Sequence, residues 1–253
     1  MKTSSRLLRG KVAVVSGGAG DIGRAIARRL RAAGAKVALG DVVPVKTAKS
    51  RLRGYHYTEV DVTDTAALEL WLDRVTHDLG LPDIIVPNAG VVEIGSPLQI
   101  GGEAWQRTLD INLTGAFGFA QLAARRLMRE KRTGRIVFIG SWAAHAPHPQ
   151  IIAYCAAKAG LRMAMQCLAL ELAPHGILVN EVAPGKVDAG LSRKLFDATP
   201  GLRERTLGDV PTRTLLDPED VARGVEYLCS PENAQTTGSV LLLDGGLSLV
   251  RPV

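Results

Sequence analysis

Tyr154 and Lys158 stand four residues apart in the run Tyr-Cys-Ala-Ala-Lys, thirteen residues after Ser141. On a helix this spacing stacks phenol and ammonium on one face. The positive charge favours phenolate, so the tyrosine is expected to titrate below its ordinary value near ~10 and to act as an acid/base around neutral pH. An alcohol or carbonyl oxygen is the group such a pair could handle. The pair alone is a weak signal, because Tyr and Lys are common, and the elements that would position it must carry the argument.

Lys11 to Ser16 reads as a buried strand, Gly17-Gly18-Ala19-Gly20 as a tight turn, and Asp21 to Ala33 as a helix with Ile22, Ile26 and Leu30 on its apolar face. Gly34 stops that helix, and a second strand, Lys36 to Leu39, runs into Gly40-Asp41, eighteen residues beyond Gly23. Strand, glycine turn, helix, strand and acid form the Rossmann arrangement. Backbone N–H groups at the helix start hold a pyrophosphate there, and the acid holds a ribose diol. Asp41 selects NAD, since the 2′-phosphate of NADP would meet like charge and no cation follows until Lys46. The βα order continues with Tyr55 to Val60, a helix through Leu68, Trp71, Leu72 and Val75, and the strand Ile84 to Val86. In this reading Asp41, Asp61, Asn88 and Ser141 all fall at carboxyl ends of parallel strands, where such folds bind ligands.

Taken in order, Gly17…Gly23, Asp61-Val62, Asn88-Ala89-Gly90, Asn112, Ser141, Tyr154…Lys158, Pro184-Gly185 and Asp244-Gly245-Gly246 resemble the short-chain dehydrogenase/reductase family nearly end to end. The resemblance implies a single-domain, doubly wound parallel α/β sheet of about seven strands, with a nucleotide half over about 9–135 and a catalytic and substrate half over about 136–253. It implies a catalytic tetrad of Asn112, Ser141, Tyr154 and Lys158. In that tetrad Tyr154 exchanges the proton, Ser141 bonds the substrate oxygen, Lys158 holds the nicotinamide ribose and Asn112 anchors a water. It also implies cofactor contacts from Gly17, Asp21, Ile22, Gly23, Asp41, Asp61, Val62, Asn88, Ala89, Gly90, Tyr154, Lys158, Pro184, Gly185 and Val187, with Asp61 and Asn88 on the adenine side and Val187 beside the nicotinamide. No metal is required.

Two positions depart from the family pattern. Asp21 stands where a glycine is usual, and its carboxylate is expected to cap the helix, turned from the phosphates. Ala189 replaces a threonine whose hydroxyl would hold the carboxamide. The segment 186–213 is expected to be a substrate loop with Leu191, Leu195 and Phe196 beside Lys186, Arg193 and Lys194. Trp142, His145 and His148 are expected in the facing wall. Indole and imidazole suit a hydroxylated ring, so a sugar or polyol is the expected substrate. Two rivals stand beside this reading. One is a 3-oxoacyl carrier-protein reductase that docks its acidic carrier on Arg125, Arg126, Arg129, Lys131 and Arg132, opposed by Asp41 and Leu170. The other is a non-catalytic dinucleotide sensor, opposed by the intact tetrad.

The chain has 253 residues, 46% apolar, with no linker-like pooling of Pro and Gly, which suits one α/β domain. No apolar run approaches the ~18 residues of a membrane span, and residues 1–10 lack the apolar stretch of a signal, so a cytoplasmic protein with no membrane partner is expected. The net charge of +6 comes from Lys and Arg interspersed with Asp and Glu, a solvated surface rather than a nucleic-acid face. Cys155, Cys167 and Cys229 are expected as reduced thiols packed in apolar helix faces. The helices 103–131 and 151–175 are rich in Ala and Gly, consistent with the family's homotetramers, and the tail 240–250 could add a second interface.

Overall fold

The computed structural model describes residues 7–48 and 52–250; the basic start and the last three residues lie outside the description. Seven parallel strands form one sheet in the order β3-β2-β1-β4-β5-β6-β7. They are β1 (Val12–Ser16), β2 (Lys36–Asp41), β3 (His56–Glu59), β4 (Ile84–Val86), β5 (Gly134–Ile139), β6 (Ile177–Pro184) and β7 (Val240–Leu243). The expected boundary between halves falls inside β5, so the sheet runs through both. β2 extends to Asp41 by pairing Asp41 with Glu59 of β3, two residues past the expected end at Leu39.

The apolar strands bury both faces of the sheet, as parallel sheets require. On one face Ala25, Ile26 and Leu30 of α1 (Asp21–Ala32) pack with Val221, Val225 and Leu228 of α9 (Pro218–Cys229) against Val15, Leu39 and Val86. The opposite face carries α3 (Thr65–Leu79), α5 (Ala116–Arg129) and α6 (Ile152–Leu172), which bring Leu68, Trp71, Phe119, Leu127, Leu161 and Met165 onto Val14, Ile85, Ile136 and Phe138. Trp71 stacks on Phe119 with centroids 5.2 Å apart. Trp71 reaches the sheet because Gly40 has no side chain there; a Cβ would lie 2.8 Å from its ring.

Two segments differ from expectation. The helix foreseen over 103–131 is α4 (Gly102–Leu109), a π-helical turn over Asp110–Gly115, then α5. The segment 186–213 contains α7 (Gly190–Ala198) and α8 (Leu202–Asp209) rather than a loop, α2 (Val45–Ala48) being the remaining short helix. The side chains of Leu191, Lys194 and Leu195 lie outside the description. Cys229 is buried and Cys155 half-buried, but Cys167 is exposed rather than packed. Among the described residues no helix is long and apolar enough to cross a membrane.

Candidate active site

The strand order reverses between β1 and β4, and a cleft of about 1150 Å³ opens there, at the carboxyl ends of the strands. It exceeds the ~300–1,000 Å³ of an ordinary small-ligand pocket. All the residues predicted to contact cofactor line it, and Ile22, Val62, Ala89 and Val187 stand in its wall with the glycines.

The glycine turn is fixed by close approach. Gly17 has φ +64°, and a Cβ on it would lie 2.8 Å from both the Ala89 Cα and the Asn88 Nδ2. A Cβ on Gly23 would lie 2.2 Å from the Gly17 carbonyl oxygen. Asn88 locks the turn to β4 by donating from Nδ2 to the Ser16 carbonyl at 2.9 Å and the Gly17 carbonyl at 3.1 Å. Ser16, which the sequence reading passed over, is the reciprocal tie: its buried Oγ accepts from the backbone N–H of Asn88 and of Ala89. At the end of β2 the Asp41 carboxylate accepts from the N–H of Ala19 at 2.9 Å and of Val43 at 3.2 Å. Asp61 accepts from the Thr63 N–H and hydroxyl, both at 2.8 Å.

Asp21 does not cap its helix. Gly20 is the N-cap residue, and no side chain caps there. The Asp21 carboxylate instead pairs with Arg24 and accepts from the N–H of Gly190, 2.9 Å away at the start of α7. That backbone bond, with the guanidinium of Arg24, holds its carboxyl below the ordinary value against the effect of burial.

The four residues predicted as catalytic meet around Gly90 and the end of β5. Asn112 is fully buried in the π turn; its amide donates to the carbonyls of Val91 and Thr108, both at 2.9 Å, and accepts from the Val91 N–H. The Thr108 carbonyl is the one that the Asn112 backbone N–H would take in an α-helix, so the side chain serves the widened turn. A Cβ on Gly90 would lie 2.7 Å from Asn112 Oδ1 and 3.8 Å from Lys158 Nζ, so both groups approach the face of Gly90 that carries no side chain. Lys158 donates to the Ile139 carbonyl at 2.8 Å, two residues before Ser141, and its Nζ lies 5.6 Å from the Tyr154 ring centroid. Ser141 starts a short 3₁₀ turn, its Oγ accepting from the Ala143 N–H at 3.1 Å.

The expected depression of Tyr154 is not what the protein's own groups produce. Burial raises the phenol above its ordinary value, a hydrogen bond with Ser141 lowers it, and Glu181 and Cys155 raise it further. Lys158 is itself brought down to about 8 by burial, opposed by Glu181. Desolvation therefore sets the direction for both groups.

Glu181 is the feature that sequence reading missed. It is 1% exposed on β6, and both its oxygens accept from Arg162, at 3.1 Å from Nε and 2.8 Å from Nη2. Arg162, one helical turn beyond Lys158, also donates to the Ser141 carbonyl at 3.2 Å. A Cβ on Gly140 would lie 1.9 Å from Glu181 Oε1, so only glycine lets the pair sit behind Ser141. The available signal was one carboxylate in the mostly apolar run Leu-Val-Asn-Glu-Val-Ala-Pro.

Trp142 and His148 line the cleft as expected, whereas His145 and Arg193 do not. His145 is exposed, with Arg162, Glu181 and Asp244 as its charged neighbours. Arg193 turns to Asp188, donating from Nε to Oδ1 at 3.2 Å. Ala189, without a hydroxyl, is buried and lines the cleft. Among the described residues no three His, Cys, Asp or Glu side chains gather as a metal site.

The family model described as Enoyl-(Acyl carrier protein) reductase matches residues 17–248. The chain is 33% identical over 255 residues to the 2,3-dihydro-2,3-dihydroxybenzoate dehydrogenase of Bacillus subtilis (strain 168), covering 96% of this chain and 97% of the relative. It is 36% identical over 246 residues to the 3-oxoacyl-(acyl-carrier-protein) reductase of Escherichia coli (strain K12), covering 95% and 98%. A crystal structure of a short-chain type dehydrogenase/reductase from Mycobacterium marinum superposes with a TM-score of 0.88 at 31% identity, covering 97% of each chain.

Proposed function

Because this chain belongs to the short-chain dehydrogenase/reductase family and is an oxidoreductase acting on CH–OH groups, we propose that it oxidises a secondary alcohol on a hydroxylated ring or polyol, with NAD as the preferred cofactor. The observation that carries this reading is the convergence of Asn112, Lys158, Ser141 and Tyr154 on Gly90 and the end of β5.

The residues present fit a dinucleotide. Gly17, Gly23 and Gly90 leave backbone open at the switch point where any Cβ would collide with a neighbour. Gly17 to Gly23 would hold the pyrophosphate and Asp41 the adenosine ribose. Asp61, Val62, Asn88 and Ala89 would flank the adenine side, and Lys158, Pro184, Gly185 and Val187 the nicotinamide side. Such a group supplies or accepts the hydride when bound. NAD is favoured because Asp41 is followed by Val42, Val43 and Pro44, and among the described residues no cation pairs with it.

The rest is chemistry of the chain itself. Ser141 Oγ accepts from Ala143 and its hydroxyl is hydrogen-bonded with Tyr154, so a substrate oxygen placed between the two hydroxyls would take over that bond. Tyr154 passes the proton, and its raised value keeps the phenol protonated, the form that gives its proton to the oxygen when a carbonyl is reduced. Lys158, near 8, can lend or take up a proton beside it. Arg162 and Glu181 hold the Ser141 backbone from behind.

The carrier-protein reductase reading draws support from the 36% identity above. Against it, Arg126 pairs with Asp73, Arg129 with Glu130 and Arg132 with Asp83, so three of the five cations of the basic cluster already have carboxylate partners. Met163 and Leu170, seven residues apart on α6 and both exposed, support assembly through that helix, as in a homotetramer. The test of function is a panel of cyclic diols, polyols and simple secondary alcohols assayed with NAD and with NADP. Turnover of a cyclic or polyhydroxylated alcohol faster with NAD is expected; reduction of a 3-oxoacyl thioester alone, with NADPH, overturns the proposal.

A further inference from the structure

Three cations line the cleft, Arg107, Lys158 and Lys186. Arg107 pairs with Glu93, and Lys158 donates to the Ile139 carbonyl. Lys186, just after Pro184-Gly185, is differently placed: its Nζ lies 2.9 Å from His148 Nε2 and 5.3 Å from the centroid of the Trp142 ring. Trp142 and His148 meet edge to face at 5.5 Å, so the three side chains form one cluster in the wall.

The protonation of this cluster follows from its partners. His148 Nδ1 lies 2.7 Å from the Pro149 carbonyl, which can only accept, so Nδ1 carries the hydrogen. Nε2 is then a bare lone pair, and Lys186 must be the donor. The imidazole stays neutral and the ammonium keeps the charge. Burial disfavours that charge, and burial together with the adjacent ammonium also keeps His148 from protonating. Among the described residues no Asp or Glu forms an ion pair with Lys186; Asp209 of α8 acts on it only from a distance. A half-buried cation with a neutral ring as its hydrogen-bond acceptor and two N–H donors left over lacks a counter-ion.

None of the five carboxylates lining the cleft forms an ion pair with Lys186 among the described residues. Asp41 and Asp61 sit at the ends of β2 and β3, Asp21 is held by Arg24 and Gly190, Asp110 accepts from Gln106, and Glu103 lies in the first turn of α4. Trp142 directly follows Ser141 in the chain, with Cα atoms about 3.8 Å apart, so the cluster borders the place where the reacting oxygen would lie. We infer that Lys186, with Trp142 and His148, is an anchor for a carboxylate on the substrate, making the substrate a compact hydroxy acid or the corresponding oxo acid. The ammonium takes the carboxylate by charge-assisted hydrogen bonds, while indole and imidazole cover the carbon skeleton beside it. The carboxylate is bound and not transformed.

This inference rests on the dehydrogenase reading for the identity of the reaction, but not for the binding. The test uses matched probes: cis-3-hydroxycyclohexanecarboxylate against its carboxamide for turnover, and cyclohexanecarboxylate against cyclohexanecarboxamide for binding by calorimetry. The intact protein is expected to favour the acid by about tenfold or more in kcat/KM and in affinity. Lys186→Met should collapse that ratio toward one, and Lys186→Arg should retain most of it. Equal handling of acid and amide by the unmodified protein, or a ratio unchanged in Lys186→Met, overturns the anchor while leaving the dehydrogenase reading standing. If no probe is oxidised with NAD or NADP yet cyclohexanecarboxylate binds in preference to its amide and loses that preference in Lys186→Met, the anchor stands and the reaction reading is what has failed. Because the comparison of acid with amide is made on the unmodified protein, it decides the matter even if the methionine variant does not fold.

Discussion

The two ends of the cleft are built from different materials. At the dinucleotide end the surfaces are backbone: glycines at 17, 23 and 90 that admit no Cβ, and side chains such as Ser16, Asn88 and Asp41 whose bonds run to nearby main chain. At the substrate end they are side chains meeting side chains, Lys186 with His148, Arg162 with Glu181. A surface of main chain with no room for a Cβ tolerates little change; a cluster of side chains can be revised one residue at a time. The first end suits a fixed cofactor, the second a substrate that varies between relatives.

The sharpest test of that contrast lies where the ends meet. Tyr154→Phe keeps the ring and removes the proton carrier, so kcat should fall by about a hundredfold or more while NAD binding measured by fluorescence titration is retained. In the unmodified protein alcohol oxidation needs the deprotonated pair, with Lys158 near 8 and Tyr154 above its ordinary value. Its rate should therefore climb with rising pH, and carbonyl reduction should fall. A flat profile from about pH 6 to about pH 10 would remove Tyr154 and Lys158 from the role.

Next in size is the buried pair behind Ser141. Glu181→Ala strands Arg162 in the interior, a loss of about 3–5 kcal/mol read as a large drop in melting temperature, whereas removing both partners as Arg162→Met with Glu181→Met should restore much of it. If the double variant is as stable as the parent but several-fold slower in kcat, the pair positions Ser141; unaltered kcat would make it purely structural.

At the dinucleotide end Asp41→Ala should cut the preference for NADH over NADPH by roughly tenfold, about 1.4 kcal/mol, in competitive binding. Equal affinities in the parent protein would deny Asp41 any selective role.

The smallest effect is expected at the seam between the ends. Asp21→Gly removes the acceptor of the Gly190 N–H and the partner of Arg24, for about 1 kcal/mol or less. Its folded carboxyl is held below the ordinary 3.8, so this contribution is present above that value and is lost as pH falls through the lower folded value. Faster amide exchange at Gly190, with little change in cofactor affinity, would locate the effect in α7 rather than in the pyrophosphate turn.

Much of the sheet was legible because βα periodicity is local: β1, the glycine turn, α1 and β2 follow one another within thirty residues, and each boundary has its own residue signal. The long segment over 103–131 hid a π turn because an extra residue in one turn leaves the apolar pattern nearly unchanged, and only the Asn112 bonds to Thr108 and Val91 reveal it. Asp21 was misplaced for a related reason. Its spacing fitted a cap, but its actual partner, Gly190, is 169 residues away.

What the sequence determined by itself was the order of elements, the Cβ-free turn and the Tyr–Lys spacing, since each depends on neighbours in the chain. The tertiary structure alone decided the electrostatics: burial puts Tyr154 above and Lys158 below their ordinary values, reversing the direction that proximity suggested for the phenol. It also decided which cations find anions, because Glu181 meets Arg162 and Lys186 meets a neutral imidazole only after β6, α6 and the segment following β5 have packed together. Desolvation and long-range pairing are properties of a folded interior, and no spacing along the chain encodes them.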